Sequence, residues 1–556
     1  IDESDWNLNK RWVMLENGED EVSAETLLSR VQELFPLVAE KAREARGFSV
    51  RWKIIISKLE RIPSCLSDLS SHPCFSKSTL CKEQLQSVSM TLKEAVQLAD
   101  SCSQKRYEGK LQMQSDLDAL SGKLDLNLHD CGLLISTGAL ADTPSPLPNV
   151  RELLARLQIG HLEAKHRALN TLLEAVKEDQ DTAISAFGRS NVSALVQLLA
   201  TTSRWCCREK TVSLVCTLAE SGNCDNWLVS EGVIPPLIRL VESGSTVCKE
   251  KAVVSLQRLS LQVETARCIV GHSGVWPLIE VCGAGDSVLQ AAAACTLKNL
   301  SAVPELRQGL AEEGVVRVMV DVIDHGILSV SKEHAVECLQ NLTCGSESLR
   351  RAVILEGGVG SLLLYLDDGR FSQEAAVGAL RNLAGFVHKE RLLSLGLLPR
   401  LVRVLETGSP GAQQAAAATI FRVSGEMEVK KAVGEAGCVR PLVKLLEAKM
   451  DGAREAAAQA IWSLMAHPRN CKEVKRDGNS VPNLVLLLDS SPQNTAKKYS
   501  VSCLASLSAS NRCRRLMISY GAIGYLKKLT DMDAPGAKKL QERLERGKLK
   551  SFFSIK

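Results

Sequence analysis

The chain has 556 residues, with 68 Lys and Arg against 64 Asp and Glu, and a net charge of +4 is too mild to imply nucleic acid as a partner. Aromatic residues make up only 4%, and none of the 19 cysteines forms a CxxC pair with a partnering CxxC or HxxxH, so no metal is expected and the thiols read as buried apolar groups. The sequence holds no signal-peptide pattern and no long uncharged apolar run, and free thiols then predict a reducing compartment, cytoplasm or nucleus.

Residues 1–22 are expected to be a flexible N-terminal segment, and residues 23–140 carry four amphipathic stretches. The first presents Leu27, Val31, Leu34 and Val38, the second Ile55, Leu59, Ile62 and Leu66, the third Leu85, Val88, Leu92 and Val96, and the fourth Met113, Leu117, Leu120 and Leu124. Each stripe is best buried in an antiparallel helical bundle. Residues 141–149 read ADTPSPLPN, a stiff linker with three prolines, and are expected to mark a domain boundary.

From Val150 the pattern changes. Glycines recur at Gly232, Gly274, Gly314, Gly358, Gly396, Gly437, Gly478 and Gly521, spaced 42, 40, 44, 38, 41, 41 and 43 residues apart. After most of them comes an apolar stretch such as GVIPPLIRLVESG, read as a first helix, with Pro235, Pro277, Pro399, Pro441 or Pro482 in an opening turn where a missing N–H is harmless. An alanine-rich second helix follows, as at Ala291–Ala294, Ala415–Ala418 and Ala456–Ala458, whose small side chains let neighbouring helices approach closely. A short third helix such as Glu264–His272 leads to the next glycine. A period near forty with helical patterning means a stacked α-solenoid with an extended binding surface.

The second helices end in TLKNLS at Thr296–Ser301, CLQNLT at Cys338–Thr343 and ALRNLA at Ala379–Ala384. This pattern resembles the armadillo (ARM) repeat, which implies an all-α fold with a right-handed ARM solenoid over residues 150–534, about nine repeats with the first degenerate. The segments LLSRVQELFPLV, WKIIISKLERIPSCL and LKEAVQLADSCSQKRYEGKLQMQSDLDALSGKLD are similar to the N-terminal domain of plant ARM-type U-box ubiquitin ligases; their most characteristic part is the helix Leu92–Cys102 followed by the basic and aromatic Lys105–Tyr107. Those ligases place a U-box between bundle and repeats, and here nothing of that length intervenes. The resemblance therefore implies a plant ARM scaffold or adaptor, with a ubiquitin-pathway component that has lost its U-box and acts as substrate adaptor as the alternative.

No GxGxxG after a strand, GxxxxGK[ST], GxSxG or HExxH is present, the nine histidines are scattered, and no catalytic residue or cofactor is expected. The candidate site is the position of the AL-x-NLS asparagine, where the chain reads Thr217, Arg258, Asn299, Asn341, Asn382, Arg422, Ser463 and Ser506. Amides in a ladder can clamp the backbone of an extended peptide, since each offers a donor and an acceptor; equally, they can bond the adjacent repeat. Arg258 and Arg422 flank the three asparagines and would favour an acidic or phosphorylated ligand, unless they are buried or paired. Nuclear import receptors share the ARM fold but carry a tryptophan four residues before each ladder asparagine, and the equivalents here are Cys295, Glu337 and Gly378. Import-type slots are therefore absent.

Residues 535–556 carry seven Lys and Arg against Glu542 and Glu545 and end near Phe552 and Phe553. A polar helix that caps the last repeat is one reading, and peripheral contact with anionic membrane or an acidic partner is the other.

Overall fold

The computed structural model describes residues 23–73, 75–104, 109–136, 150–159, 162–201, 205–368 and 372–553, and every regular element among them is helical. The expected flexible segment 1–22, the linker 141–149 and the stretch Lys105–Tyr107 lie outside the described residues. The chain divides into two compact units, Ile1–Pro236 and Leu237–Lys556.

In the first unit, α1 (Ala24–Glu44), α2 (Ser49–Leu59), α3 (Ile62–Ser70), α4 (Thr79–Ser103) and α5 (Lys110–Ser136) form a bundle. Ser23 and Ser78 cap α1 and α4 by accepting from the backbone N–H of Thr26 and Cys81. The second amphipathic stretch folds as two helices, because Pro63 lacks the N–H that a continuous helix would donate to Leu59 and instead sits in the first turn of α3. Of the predicted apolar stripes, Leu34 and Val96 are only partly buried, and the remaining positions are buried. α4 and α5 run antiparallel, with Glu94 paired to Lys123 and Gln84 bonded to Asn127 O, while α1 runs parallel to α4, with Lys41 Nζ 2.8 Å from Asp100 at their ends. Likewise α2 runs parallel to α5, where Arg51 meets Asp118 and Lys58 meets Asp125. Between α4 and α5 lies a buried polar cluster that the apolar stripes do not announce: Asn127 Nδ2 donates to Thr91 Oγ1 at 2.8 Å, and Ser87 Oγ donates to Asn127 Oδ1 at 3.0 Å.

The helix α6 (Val150–Gln158) packs on this bundle: Ala155 and Ile159 join its core, and Arg156 reaches Glu83 at 2.9 Å. The division between the two compact units falls at Pro236.

The second unit is a stack of three-helix repeats, for example Val315–His325, Ser329–Thr343 and Glu347–Leu355. Its second helices are α7 (Thr246–Leu259), α8 (Ser287–Ala302), α9 (Ser329–Thr343), α10 (Gln373–Leu383), α11 (Pro410–Val423), α12 (Asp451–Leu464) and α13 (Lys497–Leu507), followed by the terminal helix α14 (Ala537–Phe553). Each packs on the next. The alanines permit this, and Ala292–Ala294, Ala415–Ala417 and Ala456–Ala458 are buried. Third helices are tied across repeats by ion pairs, Arg267 to Glu305, Lys389 to Glu426 at 2.6 Å and Arg469 to Glu435 at 3.0 Å.

The hinge glycines serve two purposes. Gly314, Gly396, Gly437 and Gly521 adopt φ between 77° and 95°, the left-handed region that disfavours a Cβ. Gly274 does not; there Ser273 takes the left-handed turn at φ 59°, and a Cβ on Gly274 would meet Ile269 Cγ2 at 2.8 Å and Ile238 Cδ1 at 2.9 Å. At α14, Leu540 and Leu544 are buried and Arg543 Nη1 donates to Ser508 Oγ at 3.0 Å, so this basic helix packs its apolar side on the last repeat.

Candidate peptide-binding face of the second helices

Stacking of α7 to α13 places the ladder residues of the second unit at one register near the helix ends. Asn299 is 9% exposed, and its Nδ2 donates to Gln257 O at 3.2 Å and Ser260 Oγ at 3.0 Å in the preceding repeat. Asn341 Nδ2 does the same toward Lys298 O at 3.5 Å and Ser301 Oγ at 3.1 Å. Asn382 Nδ2 donates to Thr343 Oγ1 at 3.2 Å and to Cys344 Sγ at 3.3 Å. Both amide hydrogens of each asparagine are thus engaged inside the stack, and only the carbonyl oxygen is left for a ligand. The three residues are brought into one line, as staples between repeats.

The partner is a hydroxyl two residues beyond the ladder position of the preceding repeat: Ser260, Ser301 or Thr343. Before Arg422 that place is Ala384, which has no hydroxyl. Arg422 is exposed, its guanidinium lying beside Gly385, and Arg258 is exposed at the end of α7. Neither makes an ion pair among the described residues. Ser463 donates to Ser424 O at 3.2 Å, continuing the stapling at α12.

The positions of import-type tryptophans are filled otherwise. Cys295 is buried, Glu337 pairs with Lys298 at 3.4 Å, and Gly378 is buried with Gln340 packed where a side chain would stand. Further along the face is a feature the ladder reading missed. Trp462 on α12 is 45% exposed, and its ring lies 6.0 Å from that of Tyr499 on α13. Gln459 Nε2 donates to Tyr499 Oη at 2.9 Å, and Lys498 Nζ stands 4.8 Å over the Tyr499 ring. The signal was present in the sequence, since Phe421 and Trp462 each stand one residue before the ladder position.

In the first unit, a cleft of about 340 Å³ is lined by residues including His129, Gln158, Lys165, Ser190, Ser193 and Gln197. Burial pushes the nearby Asp130 carboxyl up to about 6 and the Lys165 ammonium down, while their opposite charges partly offset the two shifts. Among the described residues no group of three His, Cys, Asp or Glu could hold a metal, and no helix is long and apolar enough to cross a membrane.

This geometry, stacked three-helix repeats with a continuous second-helix face, defines an α-solenoid. Residues 427–466 match the model of the armadillo/beta-catenin-like repeat, and residues 29–139 match a domain of unknown function (DUF7032). No curated protein matches the chain. An engineered protein solved by the Northeast Structural Genomics Consortium is similar at 25% identity and a TM-score of 0.62, over 72% of this chain and 98% of its own. Two designed armadillo repeat proteins align over 42% of this chain and 99% of theirs, one at 22% identity with a TM-score of 0.39, the other, in complex with peptide (KR)4, at 21% and 0.38. The fold is thus an all-α solenoid of the armadillo type, with residues 427–466 matching an armadillo repeat.

Proposed function

We propose that this protein is a non-catalytic scaffold that holds an extended, acidic or phosphorylated segment of a partner protein along its second-helix face. The observation that carries the reading is the exposure of Arg258 and Arg422 on a face whose intervening amides are spent in holding the repeats together. Rigid stacked helices with free guanidinium groups suit carboxylates or phosphates, which arginine binds in bidentate fashion. Selection of a random extended-peptide display library on the full-length protein tests this: enrichment of acidic sequences is expected, and failure to retain any peptide would remove the scaffold reading. The ubiquitin-pathway alternative is separated by a discharge assay with a panel of conjugating enzymes, where robust transfer by the purified chain would overturn a non-catalytic role. A reducing compartment, cytoplasm or nucleus, is part of the proposal, and imaging of a full-length fusion checks it.

A further inference from the structure

Resting on that scaffold reading, we propose that the docking centre is the aromatic step across α11, α12 and α13, and that its occupant is an acidic extended segment carrying one aromatic or large aliphatic side chain. Phe421 and Trp462 hold the same register on adjacent stacked helices, and Tyr499 stands beside Trp462 on the third. The Trp462 ring is nearly half exposed, apolar area that a partner side chain would remove from water. Tyr499 is held in place from two sides, by the Gln459 amide at its hydroxyl and the Lys498 ammonium over its ring. A tyrosine already held in this way loses little further side-chain entropy when a ligand packs on it.

Charge selects the rest of the occupant. The two register positions read Arg381–Asn382, Phe421–Arg422 and Trp462–Ser463 on successive helices, with two guanidinium groups and no carboxylate. The carboxylates of this face, Glu374 and Glu455, lie about two turns nearer the helix starts, and Glu455 already accepts from Thr495 Oγ1 at 2.5 Å and faces Lys498 at 3.9 Å. Acidic side chains of a bound segment would reach Arg381 and Arg422 while its apolar side chain covers Trp462 and Tyr499. A basic segment would meet like charge. Over α8 and α9, by contrast, Lys298 is offset by Glu337 and both asparagines are engaged, so the binding centre lies toward the C-terminal repeats and away from Asn299 and Asn341.

Fluorescence anisotropy on the full-length protein tests this with three short labelled peptides: acidic with a central Phe, acidic with Ser in its place, and lysine-rich with the central Phe. The acidic Phe peptide is expected to bind most tightly, and W462A to weaken it roughly tenfold or more, as loss of an aromatic anchor does. Because Arg422 is exposed, R422E leaves the fold intact and is expected to abolish the salt-sensitive part of binding. Equal affinity of wild type, W462A and R422E for the acidic Phe peptide would overturn the assignment while peptides enriched by display keep the scaffold reading standing. Preference for the lysine-rich peptide would overturn the charge argument. If the display library yields no peptide at all, both readings fall.

Discussion

Asn341 and Arg422 occupy the same place in their repeats and differ in one neighbour: Ser301 stands opposite the first, Ala384 opposite the second. The spacing of the asparagines was legible in the sequence, but the destination of their hydrogen bonds was not, since it depends on a hydroxyl about forty residues earlier that periodicity alone does not link to the amide. Replacing Asn341 by Ala removes donors to Ser301 and Lys298 in a partly buried site, and is expected to lower stability by about 1–2 kcal/mol in urea unfolding, whereas R422A changes it within about 0.5 kcal/mol. Equal effects would refute the staple. Asp130 supplies a pH dependence. Its folded-state carboxyl is raised by burial to about 6, so its protonated form favours the folded state; that contribution is complete below pH ~4 and is lost as pH rises through ~6. The stability difference between wild type and D130N, read from hydrogen exchange over Lys110–Ser136, should therefore shift against wild type by on the order of 2 kcal/mol between pH 4 and pH 7.5. A flat difference would show that Asp130 is not desolvated.

At the scale of elements, the bundle helices and repeat helices follow from apolar spacing, and the stripes Leu27–Val38 and Met113–Leu124 did mark the buried faces, with Leu34 the partly exposed member. The break at Glu60–Arg61 and the parallel pairing of α1 with α4 were not legible, because a stripe says which side is buried and not which helix covers it. The hinge glycines show a similar limit. Gly437 and Gly478 look equivalent by period, yet Gly437 has φ 85° while Gly478 is not among the left-handed residues, and at neither would an added Cβ meet another atom within 4 Å. Conformation alone then separates them. G437A should cost about 1 kcal/mol or more, and G478A should be neutral or slightly stabilising, as measured by paired thermal and urea unfolding. A loss of similar size in both would mean that packing, and not φ, decides the hinge.

At the scale of the molecule, each repeat of the second unit contacts its neighbours, and nearest-neighbour coupling makes the end of the stack its weakest point. Basic residues after Pro535 left two roles open in the sequence, because charge is equally at home on a cap and at a membrane surface. In the structure α14 packs against α13 and the helices Asn511–Ser519 and Ala522–Asp531, burying Ala537, Leu540 and Leu544 while Arg543 takes the stapling role toward Ser508. Removing residues 537–556 therefore uncovers the apolar side of the final repeat without touching α7 to α10. Hydrogen exchange on the truncated protein should show protection lost over residues 497–531, diminishing repeat by repeat toward the N-terminal side, with residues 246–343 unchanged. Uniform loss across the second unit would mean that the array unfolds as one cooperative body; unchanged protection at 497–531 would mean that α14 contributes no capping energy, leaving its basic face as the reason for the helix.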